Sequence, residues 1–139
     1  MNYNETIQWM FDRLPMYQQV GASAYKKDLT NTLALVNYLG NPEKKLRCIH
    51  VGGTNGKGST SHLLASVLQE AGYKVGLYTS PHLKDYRECI IINGVMIPEA
   101  FVVDFIAQHK AFLETQQLSF FEMTVGLAFA YFAEEQVDI

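Results

Sequence analysis

Cys48-Ile49-His50-Val51-Gly52-Gly53-Thr54-Asn55-Gly56-Lys57-Gly58-Ser59-Thr60 is the stretch on which the reading of this chain turns. A short β-prone run leads into a glycine-rich turn. A helical pattern follows, with Leu63, Leu64, Val67, Leu68 and Ala71 at helical spacing. Gly72 closes that helix, and Lys74-Val75-Gly76-Leu77-Tyr78-Thr79 reads as a second strand. Strand, glycine loop, helix and strand in so short a span make one βαβ unit, which predicts a parallel sheet. The loop itself predicts phosphate binding, because glycines let successive backbone N–H groups point at one anion with no Cβ in the way. The helix start adds unpaired donors and a partial positive charge. Lys57 supplies a mobile point charge, and Ser59 or Thr60 offers a hydroxyl to phosphate or Mg²⁺. The match to the common G-x-x-x-x-G-K-[ST] pattern is inexact, since Val51 stands where its first Gly belongs and Gly58 follows Lys57. A glycine-rich turn without a ligand is the competing reading.

Outward from this core, Asn4 to Leu14 places Ile7, Met10, Phe11 and Leu14 at helical spacing until Pro15 ends the run. Residues 15–28 lack clear periodicity and are expected to be a loop. A second helix is predicted from Leu29 to Leu39, with Leu29, Leu33, Val36 and Leu39 on one face and Gly40-Asn41-Pro42 as its stop. Downstream, Glu88 to Ile97 has two apolar runs flanking Asn93-Gly94, a strong hairpin signal. Pro98-Glu99 opens a helix with Phe101, Phe105 and Phe112 expected inward, and a last helix spans about Phe120 to Glu135. Val137-Asp138-Ile139 reads as the beginning of a strand.

With 139 residues, 48% hydrophobic and 18% charged, the composition is that of one globular domain. Eleven Lys and Arg against fourteen Asp and Glu give a net charge of -3, which argues against a nucleic-acid partner. Cys48 and Cys89 have no zinc-type spacing and read as reduced thiols packed in or near strands. No signal peptide and no membrane-length apolar run is legible, so the expected location is the cytoplasm.

Two stretches carry a resemblance. Gly53-Thr54-Asn55-Gly56-Lys57-Gly58-Ser59, preceded by His50-Val51-Gly52, resembles the P-loop of the folylpolyglutamate synthase / dihydrofolate synthase family, within the wider Mur ligase superfamily. That family writes a Gly after the Lys and more usually an Ala where Gly52 stands. Tyr78-Thr79-Ser80-Pro81-His82-Leu83 is similar to its second signature, and the likeness extends through Ala71–Gly76 and Ser119–Glu135. The resemblance implies an α/β fold: a P-loop NTPase-like parallel sheet flanked by helices, with a β-hairpin insertion. It implies an ATP-dependent amide ligase that adds L-glutamate to dihydropteroate or folates through an acyl phosphate, with Mg²⁺ as cofactor and a monomeric state. It further implies that 1–139 form the N-terminal portion of the ATP-binding domain. The rest of that domain and a C-terminal glutamate-binding domain would lie outside it, and the chain alone is then expected not to catalyse. The alternatives are a Mur-type ligase or other P-loop phosphotransferase with a different acceptor, or a nucleotide-binding fragment without turnover.

The site residues follow from both readings. Gly53, Thr54, Asn55, Gly56, Lys57, Gly58, Ser59 and Thr60 are the expected nucleotide loop, with Lys57 catalytic. Ser80 is either a turn residue or, as the resemblance implies, a Mg²⁺ ligand at the carboxyl edge of the sheet. His82 is a candidate substrate contact against the reading of a solvated or packing histidine. Ser119-Phe120-Phe121-Glu122 reads as a capping box, and the resemblance implies that it also holds the pteroate part of the substrate. Arg13-Leu14-Pro15-Met16 corresponds to a pterin-side region in the family. Two arginines that the family places from Glu88 onward are absent, the chain reading Glu88-Cys89-Ile90-Ile91, and Arg87 is the candidate partial substitute.

Overall fold

The computed structural model describes residues 1–14 and 29–139, and the expected loop over 15–28, with Pro15 and Met16, lies outside them. The chain forms two compact units, Met1–Asn41 with Glu99–Leu127, and Pro42–Pro98 with Ala128–Ile139.

The first unit is helical. Helix α1 (Tyr3–Arg13) is started by a reciprocal cap: the Glu5 N–H donates to Asn2 Oδ1 at 2.9 Å, and the Asn2 N–H donates to Glu5 Oε2 at 2.8 Å. Of the expected stripe, Met10 and Leu14 are buried, with Ile7 and Phe11 partly so. Helix α2 (Thr30–Tyr38) stops as expected at Gly40: the Asn41 N–H reaches the Val36 carbonyl at 2.7 Å and the Gly40 N–H the Asn37 carbonyl at 3.2 Å. Its inward face differs from the expected one. Leu29 and Leu33 are exposed, while Asn31, Leu35 and Val36 are buried. The cause is tertiary. The Leu35 side chain fills the space a Cβ would need at Gly126, and the Asn31 amide donates to the Gln117 carbonyl at 3.4 Å.

The second unit holds α3 (Lys57–Glu70), and the other two helices of the first are α4 (Glu99–Thr115) and the first half of α5 (Phe120–Glu134). Helix α4 buries Val102, Phe105, Ile106 and Leu113, so of the expected inward phenylalanines only Phe105 is fully interior. Phe112 instead stacks on Tyr38, ring centroids 3.9 Å apart. Met123 and Leu127 complete the core, each fully buried leucine or methionine adding about 1.5–3 kcal/mol of hydrophobic stabilisation.

The second unit carries helix α3 (Lys57–Glu70) and strands β1 (Gly76–Tyr78), β2 (Ile90–Ile92) and β3 (Val95–Met96) in the order β1-β2-β3. Both pairings are antiparallel, with Leu77 opposite Ile91 and Ile92 opposite Val95. The hairpin turn is Asn93-Gly94, at φ 47 and 79, the left-handed pair that a two-residue turn between twisted strands requires. Three consecutive isoleucines suit the pleat, Ile90 and Ile92 facing inward and Ile91 half-exposed.

The expected parallel sheet is therefore not the sheet found among the described residues. Cys48–Val51 forms no strand there, and Cys48 and Ile49 are exposed, whereas Cys89 is buried as expected. A strand exists only through a partner, and a parallel one needs cover on both faces. Helix α3 buries none of its residues: Leu63 and Val67 are 69% and 65% exposed. The expected strand at 137–139 is not formed either, although the chain there runs beside β1: the Asp138 N–H donates to the Lys74 carbonyl at 2.7 Å and the Gly76 N–H to the Ile139 carbonyl at 2.9 Å. Phe132 lies over Gly76, its ring 2.8 Å from where a Cβ would stand.

Candidate functional site

The loop that enters α3 is exposed from Gly52 through Thr60. At Gly56 the backbone has φ 81, a left-handed turn that an L-residue resists and that swings the chain into the helix. Gly56 is also the N-cap, and no side chain caps this helix. The first-turn N–H groups are consequently left for solvent or a ligand. A Cβ at Gly52, Gly53, Gly56 or Gly58 would meet nothing within 4 Å, so the cradle is open. Lys57 folds back over it, its Nζ donating to the Gly53 carbonyl at 2.6 Å and the Thr54 carbonyl at 3.1 Å. The ammonium thus sits on the carbonyls of the glycine loop itself.

Beyond β1, Ser80 is exposed and its peptide to Pro81 is cis. Behind it, burial first and Cys89 second push the Tyr78 phenol up to about 12, a hydrogen bond with Ser80 pulling the other way. Burial, then Glu88, pushes the Cys89 thiol up to about 11. Both groups stay protonated at neutral pH, so neither brings a negative charge to the Ser80 hydroxyl.

Among the described residues no cluster of three or more His, Cys, Asp or Glu could cage a metal by itself. Magnesium carried in on a nucleotide keeps water and phosphate oxygens and asks the protein for few ligands. Exposed hydroxyls at Ser59, Thr60 and Ser80 fit that demand.

His82 packs edge-on against the buried Tyr86, ring centroids 6.0 Å apart. Arg87, the candidate substitute for the missing arginines, is already paired within its own segment. Its guanidinium is engaged by Asp85, with Nη2 to Oδ2 at 2.8 Å and Nε to both carboxylate oxygens at 3.2 and 3.3 Å. Not anticipated from the sequence is Glu88, whose carboxylate accepts the N–H groups of Leu83, Lys84 and Asp85. The readable signal was Asp85-x-x-Glu88, an N-cap residue followed three later by Glu, which here opens the 3-10 turn Tyr86–Cys89.

In the other unit, the capping box at the start of α5 is complete. The Glu122 N–H donates to Ser119 Oγ at 3.1 Å and the Ser119 N–H to Glu122 Oε2 at 2.9 Å, both side chains buried. Phe120 is buried and stacks on Phe11, centroids 5.1 Å apart, which brings the end of α1, with Arg13 and Leu14, to this helix start. Leu14 is itself buried and Arg13 exposed; Phe121, 50% exposed, is the ring that faces outward. No helix among the described residues is long and apolar enough to cross a membrane.

No family model matches the chain. It is 40% identical over its whole length to a folylpolyglutamate synthase of Lacticaseibacillus casei, of which it covers 32%. It is 38% identical over 95% of its length to a dihydrofolate synthase/folylpolyglutamate synthase of Bacillus subtilis, covering 30% of it. The crystallised folylpolyglutamate synthetase from Lactobacillus casei superposes with a TM-score of 0.86 at 39% identity, over 99% of this chain and 35% of that one. A structure named as an FPGS-AMPPCP-folate complex gives the same TM-score of 0.86, over 99% of this chain and 34% of that one. The chain thus spans about a third of the length of these relatives. By sequence and by fold it is homologous to an N-terminal portion of the folylpolyglutamate/dihydrofolate synthases.

Proposed function

We propose that this chain supplies the nucleotide-holding part of an ATP-dependent ligase that joins L-glutamate to dihydropteroate or a folate. The observation that carries the reading is the uncapped start of α3 behind an open glycine loop with Lys57 bent over it. The likeness to a complex named for AMPPCP and folate supports both ligand classes.

The chemistry required is activation of a carboxylate, which has no leaving group at neutral pH. Its oxygen attacks the γ-phosphorus of ATP, the bond to the β–γ bridging oxygen breaks, and ADP leaves. The glutamate amine then attacks the acyl carbon, loses a proton, and expels phosphate as the amide forms. Phosphoryl transfer depends mainly on positioning and charge neutralisation. Loop N–H groups at Gly53 to Thr60 bind and orient the phosphates, and Lys57 neutralises charge as it gathers on the leaving oxygen. Mg²⁺, where bound, screens the phosphate oxygens, and Ser59 or Thr60 with Ser80 would hold it. Phe121 offers a face for the pterin ring. Ser119 and Glu122, engaged with each other's backbone, act as its mount, with Phe120, Arg13, Leu14 and His82 as further candidates on the acceptor side. Because the relatives are much longer, the proposal gives this chain nucleotide binding and leaves turnover, oligomeric state and the choice between pteroate and folate to a full-length ligase.

A calorimetric titration of Mg·ATP into the 139-residue chain tests this, with Lys57→Ala alongside. Saturable binding that disappears in the variant supports it. Binding that is equal in both, or absent in the parent chain, overturns the assignment to this chain.

A further inference from the structure

Glu88 and Cys89, neighbours in sequence, hold the two ends of the tripeptide Ser80-Pro81-His82. On one side, the Thr79 N–H donates to the Cys89 carbonyl at 3.1 Å. On the other, the Leu83 N–H donates to Glu88 Oε1 at 2.9 Å. Glu88 Oε2 then accepts the Lys84 N–H at 2.9 Å and the Asp85 N–H at 2.7 Å. One carboxylate so gathers three successive backbone donors that no strand or helix satisfies. Asp85 answers by accepting the Arg87 N–H at 3.0 Å, and buried Tyr86 supports the His82 ring. The bonds from Asp85, Leu83 and Lys84 hold the Glu88 carboxyl below its ordinary range, with a smaller contribution from His82. Leu83, by contrast, leaves its side chain 91% exposed, so apolar packing of that residue does not anchor the segment.

We propose that Glu88 is a positioning residue: its carboxylate fixes the place of the Ser80 hydroxyl, and through Ser80 it governs the metal-dependent part of nucleotide binding. This rests on the reading of Ser80 given under the proposed function. Neither the length nor the charge of the side chain is dispensable. Glu88→Asp keeps the charge and falls one methylene short. Glu88→Gln keeps the length but turns an N–H donor toward other donors.

The test is ATP titration of the 139-residue chain with Mg²⁺ and with a chelator, for the parent chain, Glu88→Gln, Glu88→Asp, Ser80→Ala and the double variant Ser80→Ala/Glu88→Gln. Amide hydrogen exchange is followed in parallel. The expected result is that Mg²⁺ tightens ATP binding in the parent chain and that each single variant loses about tenfold of that tightening, as for partners that orient a metal ligand. Binding in chelator stays within about twofold for Glu88→Gln and Glu88→Asp, and the double variant loses no more than Ser80→Ala alone. Exchange at Leu83, Lys84 and Asp85 accelerates while Leu77 and Ile91 in the sheet stay protected. Faster exchange at 83–85 with an intact magnesium effect would make Glu88 a turn-former only and overturn the proposal. So would additive losses in the double variant, or a Ser80→Ala chain that responds to Mg²⁺ like the parent. If Glu88→Gln loses sheet protection, Glu88→Asp decides the matter through the same readouts. A parent chain that binds no ATP refutes the nucleotide reading itself, visibly in its own titration, and this proposal with it.

Discussion

Helices α3 and α5 begin in opposite ways. At α5 the Ser119 hydroxyl and the Glu122 carboxylate each take a backbone donor, so the helix start is closed by its own buried side chains. At α3 the N-cap is Gly56, no side chain reaches back, and the nearest cation rests on the carbonyls of Gly53 and Thr54. Both ends carry the same orphan donors by construction. What differs is who satisfies them, and under the proposed function that difference separates a structural start from one kept for a ligand.

The sharpest way to break this contrast is Lys57→Ala. The exposed lysine makes only two hydrogen bonds to its own loop, so its removal should leave the melting temperature within a degree or two. Mg·ATP affinity should fall by about a hundredfold or more, on the order of 3 kcal/mol. Equal losses of stability and affinity would mean that the loop is merely a turn held by its lysine.

Phe121→Ala probes the closed start from its outer side. Stability should move by about 0.5 kcal/mol or less, because the ring is half-exposed. Affinity of a full-length ligase for its pteroate or folate should weaken about tenfold, roughly 1.4 kcal/mol, which an isothermal titration reads directly. Unchanged affinity would remove the ring from the acceptor site.

Ser119→Ala should cost about 1 kcal/mol in denaturant unfolding, within a range of about 0.5–2, and leave ATP binding untouched. A loss of ATP affinity there would erase the distinction between the two helix starts.

The smallest effect expected is with pH. His109, between Phe105 and Tyr38 and hydrogen-bonded to the Tyr38 hydroxyl at 3.1 Å, is pushed below its ordinary 6.5 by burial. Below about 6.5 the unfolded chain then binds more protons than the folded one, so stability is full above that pH and falls as pH drops toward the depressed value. Melting curves between pH 7 and 5 should show the decline, and His109→Gln should flatten it.

What could be read from the sequence was what its nearest neighbours decide. Asn93-Gly94, Gly40-Asn41 and Ser119-x-x-Glu122 each act over a few residues, and each forms as expected. The inward face of α2 was not legible, because helical spacing admits several stripes and the choice of Leu35 over Leu33 comes from Gly126, far along the chain. Nor was the pairing of the sheet, since β-prone residues at 48–51 say nothing of which partner they meet. Within the candidate site, the glycine loop and Lys57 stood out by type, whereas Glu88 showed itself only once its three donors were in place.

The glycines offer a last separation. At Gly76 and Gly126 a methyl group would collide with Phe132 and Leu35, while at Gly52 and Gly58 it would find empty space and an ordinary backbone. A library of alanine variants sorted by cellular abundance would therefore deplete the first pair and pass the second unnoticed. Sorted instead by retention on immobilised nucleotide, the same library would reveal whether the second pair matters. An abundance screen alone would declare the proposed nucleotide loop neutral.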